Sequence, residues 1–121
     1  MKEENLIRDK SYAFALRIVR LYKHFVTNKI EFIIAKQLLR SGVSVGANVE
    51  EAIGAQSKKD FIAKLSIAYK EARETHYWLR LLRDSDYLNE KEAASLIKDI
   101  EEVLKILTSI QTTTKKNISN S

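Results

Sequence analysis

The chain has no cysteine, no proline and only three glycines. Without cysteine there is no disulfide framework and no thiolate chemistry, which suits a reducing compartment. Without proline, and with so little glycine, few residues punctuate the chain as a strand-and-turn fold requires. Long uninterrupted helices are expected instead. Long hydrophobic runs are missing as well. Strictly apolar stretches such as Phe32–Ala35 fall far short of the roughly 20 residues that cross a bilayer. The N-terminal MKEENLIRDK carries both signs of charge where a signal peptide has an apolar centre. A soluble, cytoplasmic protein without membrane contact is expected.

Several chemistries lack their residues. A di-iron bundle needs Glu-x-x-His pairs, but Leu21 and Arg73 stand three residues before His24 and His76. Two histidines alone do not make a zinc site. Glu74 and His76, two residues apart, diverge on a helix and form no dyad. No Gly-x-x-x-x-Gly-Lys loop is present. The expectation is a protein that is not an enzyme and holds no cofactor and no metal.

What is present is a single domain of 121 residues, 45% hydrophobic and 31% charged. The net charge of +5 is unevenly spread. Residues 1–28 carry six Lys/Arg against three acids, residues 55–86 seven against five, and the other segments balance. An excess of this size permits nucleic-acid contact without requiring it.

Apolar spacing predicts four helices, at about 5–26, 29–54, 58–84 and 90–111. The first carries Phe14, Ile18, Leu21 and Phe25 on one face, with Lys10, Arg17, Arg20 and His24 opposite. Asn28 with Glu31, Ser57 with Asp60, and Asn89 with Glu92 each read as a helix start with a capping pattern. Helix 2 is the unusual one. Ser41–Gly54 holds all three glycines, yet Ile34, Leu38, Ser41, Val45, Asn48 and Ala52 keep helical spacing. Gly42 and Gly46, four apart, predict close backbone packing on one face, with Gly54 as the stop. Helix 3 has the cleanest seam: Phe61, Leu65, Ala68, Ala72, Thr75, Leu79 and Leu82. In helix 4 the period ends near Gln111, so residues 113–121 are expected to be a disordered tail outside a bundle spanning 1–112. Short turns between these helices predict an all-α, antiparallel up-down-up-down four-helix bundle.

Asn48, Glu51, Glu71 and Glu74 form a polar constellation on helices 2 and 3, read as a structural network with Arg73 and Arg80 as its cations. Helix 1 has more apolar face than one core needs, and Phe32, Ile33, Tyr69 and Tyr77 lie off the main seams. Such surface marks a partner interface.

The stretch LLRSGVSVGANVEEAIGAQSKKDFIAKLSIAYKEARETHYWLRLL, residues 38–82, resembles the small bundle proteins encoded in intervening sequences of bacterial 23S ribosomal RNA genes. Their Ser-Ile-x-Ala-Asn-Ile-x-Glu-Gly pattern appears from Ser44 to Ala52, with Asn48 and Glu51 matching and Ala52 in place of glycine. Their Lys-Glu-Ala-x-Glu-Thr-x-Tyr-Trp-Leu segment appears from Lys70 to Leu79. The resemblance implies a four-helix bundle assembled as a ring-like homopentamer. It also implies a relationship to the accessory variability determinant of diversity-generating retroelements, whose basic outer surface meets nucleic acid. In such a ring Lys10, Arg17, Arg20 and Lys23 would repeat around the outside as a surface for structured RNA or DNA. The alternative is a scaffold module that binds a protein partner and no nucleic acid.

Overall fold

The computed structural model describes residues 2–119 as four helices: α1 (Lys2–Thr27), α2 (Ile33–Ile53), α3 (Lys58–Asp84) and α4 (Glu90–Ser119). Each packs on the next and α4 returns to α1, while the backbones of diagonal helices stay apart. The result is the antiparallel up-down-up-down bundle expected from the apolar spacing. Its core lies along the central axis, where Phe14, Ile18, Val45, Leu65, Leu79 and Leu107 are all buried. Burial of this kind contributes about 1.5–3 kcal/mol for each large apolar side chain.

Why α1 and α2 lie so close follows from the two glycines. A methyl group at Gly42 would stand 3.0 Å from both γ-carbons of Ile18. One at Gly46 would stand 3.3 Å from the carbonyl oxygen of Ser11. The absent side chains are what allow α1 to seat against α2, despite a helix-propensity cost near 1 kcal/mol per glycine. Gly54 plays no such part: it caps α2 at φ −85°, a conformation open to any residue.

The helix ends differ from expectation in instructive ways. α1 runs one residue past the expected Val26, and α2 begins at Ile33, four residues after the expected start. Asn28 does not cap α2; its amide donates back to the His24 carbonyl at 2.9 Å. Glu31 takes the capping role alone, its carboxylate accepting from the amides of Ile33, Ile34 and Ala35. Charge explains the preference, since a carboxylate also favours the positive end of the helix dipole. The other two starts behave as expected. Ser57 Oγ accepts from the Asp60 amide at 3.0 Å, and Asn89 Oδ1 from the Glu92 amide at 2.8 Å.

At its far end α4 continues to Ser119, so the tail expected to be disordered is helical over residues 113–119. Residues 120 and 121 of that expected tail lie outside the described residues. No proline or glycine stops the helix there, and the Thr114 hydroxyl donates to the Ile110 carbonyl at 2.8 Å within it.

Candidate nucleic-acid interface

The basic stripe of α1 divides once the bundle forms. Lys10 Nζ lies 2.7 Å from Glu102, and Arg17 Nη1 lies 2.6 Å from Asp99, both acids on α4. The Lys10 hydrogen bond, and then its charge, hold the Glu102 carboxyl below its ordinary value. Arg20 and Lys23 stay exposed and form no ion pair among the described residues. Two of the four cations therefore join α1 to α4, and two face solvent.

The polar constellation is three separate contacts. Arg40 of α2 reaches both Glu71, at 3.0 Å, and Glu74 of α3. Glu74 also accepts from the Trp78 indole at 2.9 Å. Glu51 pairs with Lys64 at 3.2 Å, again between α2 and α3. Asn48 bonds only within its own helix, to the Ser44 carbonyl and hydroxyl at 2.9 and 3.0 Å. The cation uniting Glu71 and Glu74 is Arg40, in place of the expected Arg73 or Arg80. Those two leave α3 on the other side, toward α4. Between α2 and α3 lies a buried contact not anticipated from the sequence: Thr75 Oγ1 donates to Ser41 Oγ at 2.9 Å. Both residues occupied apolar positions of their seams, and buried hydroxyls require partners.

The most distinctive surface is an open groove between α3 and α4. Arg73, Arg80, Lys98 and Lys105 line it, together with Tyr69 and Tyr77. His76 Nε2 lies 3.1 Å from Glu101 Oε2 and sets the register across it. In antiparallel packing this brings Arg80 level with Lys98 and Arg73 level with Lys105, to within about one residue.

The acids of the groove are already engaged. Glu74 is held by Arg40, Glu101 by His76 and Glu102 by Lys10. Among the described residues none of the four groove cations has a carboxylate at ion-pair distance. Arg73 donates to the Tyr69 hydroxyl at 3.4 Å, and the Arg80 guanidinium sits 5.9 Å from the centre of the Tyr77 ring. Like charges level with one another repel and weaken the fold slightly, and an anion seated between them would relieve that repulsion. The sequence does contain the signal: two Lys/Arg pairs, each at heptad spacing, on consecutive antiparallel helices.

Residues 3–109 match the family described as 23S rRNA-intervening sequence protein. The chain belongs to this family. A solved structure similar to it is that of a protein of unknown function from the S23 ribosomal protein family of Bacteroides thetaiotaomicron. That protein is 50% identical, the likeness covers 91% of this chain and 98% of that one, and the TM-score is 0.89. No curated protein matches.

This 23S rRNA-intervening sequence protein carries a second unusual surface. Tyr12, Val19 and Val26 form an exposed heptad row on α1, and Leu16 is exposed between them. Each member of the row follows a buried residue, Ser11, Ile18 or Phe25, and the first two of these pack on α2. The row thus borders α2, on the flank away from Lys10 and Arg17. Phe32 and Ile33 extend the apolar surface at the α1–α2 corner, where Ile33 is 79% exposed. Among the described residues no helix is long and apolar enough to cross a membrane.

Proposed function

We propose that this protein is a non-enzymatic, self-associating bundle that binds structured RNA through its exposed basic surface. The observation that carries the reading is the α3/α4 groove, whose four cations have no carboxylate at ion-pair distance among the described residues, while its acids are held by other groups. The family description, which ties its members to an intervening sequence of 23S rRNA, supports RNA over other polyanions. Exposed Arg20 and Lys23 on α1 add to the same positive field. Among the described residues there is no aromatic-rich strand of the kind that reads bases in RNA-binding sheets. Recognition therefore follows backbone charge and shape.

A salt titration of a structured RNA and a DNA duplex, followed by fluorescence anisotropy, tests this. Log affinity should fall linearly with log salt, each neutralised phosphate adding about 0.9 to the slope for a duplex. Reversing Arg20 and Lys23 to glutamate should weaken both polymers and flatten the slope. Arg17 is a poor choice for reversal, because Arg17→Glu would also set two acids against each other at Asp99.

The exposed apolar row of α1 and the α1–α2 corner favour a second reading, a scaffold that binds protein alone. Absence of binding to either polymer at low salt would decide for it.

A further inference from the structure

We infer that the α3/α4 groove takes an unpaired, single-stranded segment of RNA, with a base stacked at Tyr77 and Arg80. This rests on the RNA-binding reading and goes beyond it, because charge alone does not distinguish a single strand from a duplex. The aromatic residues do.

The groove is an open surface depression of about 1760 Å³, larger than the 300–1,000 Å³ clefts that bury small molecules, and a polymer segment suits it better than a small ligand. Tyr77 is 49% exposed in it, an unusual setting for a large ring among cations. The ring is held edge-on against Trp78, with centroids 5.0 Å apart and planes at 69°. Trp78 is in turn fixed by its hydrogen bond to Glu74, which Arg40 secures from α2. Tyr77 thus has a rigid backing, and the Arg80 guanidinium lies over its ring. Aromatic rings and guanidinium planes are the two surfaces on which unpaired bases stack. A paired base is already stacked within its own helix and gains nothing from them.

The cations are arranged for a strand running along the groove. Arg73 and Arg80 stand seven residues apart on α3, as do Lys98 and Lys105 on α4. Each pair spans roughly 10 Å of helix axis at 1.5 Å per residue. Tyr69, Arg73, Tyr77 and Arg80 form one stripe of alternating rings and cations on α3, Lys98 and Lys105 line the α4 side of the groove, and a phosphate backbone can lie between the two.

The test compares a labelled single-stranded RNA of about ten nucleotides, within the usual site size of such grooves, with the same strand annealed to its complement. Tyr77→Ala should weaken the single strand on the order of tenfold, the effect of losing one stacked base, and leave the duplex unchanged. Tyr77→Phe keeps the ring and should bind as the parent does. Lys98→Glu with Lys105→Glu should weaken both RNAs. Thermal melts confirm that each variant is folded. If Tyr77→Ala binds the single strand as tightly as the parent while RNA binding persists, the groove assignment falls and the RNA-binding reading stands. If Tyr77→Phe loses as much as Tyr77→Ala, stacking is not the interaction. If neither RNA binds the parent at low salt, both readings fall.

Discussion

Ser41 and Thr75 illustrate how a position can be assigned without its interaction being seen. Both keep the spacing of an apolar seam, and both are buried, at 0% exposure. The Ser41 hydroxyl donates to the Leu38 carbonyl at 3.4 Å and accepts from Thr75, which also lies 2.8 Å from the Glu71 carbonyl. Each hydroxyl therefore has partners both within its helix and across the interface. Thr75→Val should cost about 1–2 kcal/mol, since it removes a donor and leaves Ser41 with an unfilled acceptor site in the core. Ser41→Ala with Thr75→Val should cost less than the sum of the single changes, because no orphan remains. Urea unfolding of the three variants checks the sign of that coupling, and additive losses would mean that the two hydroxyls act separately. Glu31 makes the same point at a helix start. Asn28 and Glu31 form a good capping pattern on paper, but the backbone turn places only the carboxylate over the free amides of α2.

That turn brings the argument to whole elements. α1 and α3 both end in a left-handed residue, and in neither is it glycine. Lys29 has φ 51° and Asp86 has φ 68°. Each is followed by the amide that closes the motif: Ile30 N–H to the Phe25 carbonyl at 3.0 Å, and Tyr87 N–H to the Leu82 carbonyl at 2.9 Å. The three glycines all lie in or just after α2, and none has positive φ. Gly42 and Gly46 serve packing and Gly54 only ends α2, while the left-handed positions carry the strain. Asp tolerates that conformation better than Lys, so Lys29 is the place to relieve it. Lys29→Gly should stabilise the fold by about 0.5–1 kcal/mol, the left-handed penalty less the extra backbone entropy of glycine. A raised urea midpoint with an unchanged m-value would bear this out. A lowered midpoint would mean that the Lys29 side chain contributes more than its backbone costs.

Across the whole molecule, the two unusual surfaces occupy opposite parts of the square. The apolar row of α1 and the α1–α2 corner lie on one side, the α3/α4 groove on the other. Self-association through the first would leave the second open, which is why the proposed assembly and the proposed RNA contact are compatible. Light scattering at micromolar protein should give a mass several times the 13.9 kDa of one chain. Tyr12→Glu with Val19→Glu should shift it toward the monomer, because charges on a buried interface lose their hydration. A parent protein that scatters as a 14 kDa particle would remove self-association from the proposal.

The four helices, their seams, two of their three capped starts and the close approach at Gly42 and Gly46 were legible in the order of residues. Helical period and capping depend on neighbours three and four positions away, and the chain alone supplies those. The pairing of charges was not legible in this way. Lys10 and Arg17 read as outward-facing until α4 brings Glu102 and Asp99 beside them. Arg73 and Arg80 read as partners for Glu71 and Glu74 until Arg40 takes both acids from α2. Which cation meets which carboxylate depends on the rotation and register of helices distant in sequence. By itself the sequence determined that there would be four amphipathic helices and a net positive charge; only their packing decided which cations are neutralised, and which are left facing one another across a groove.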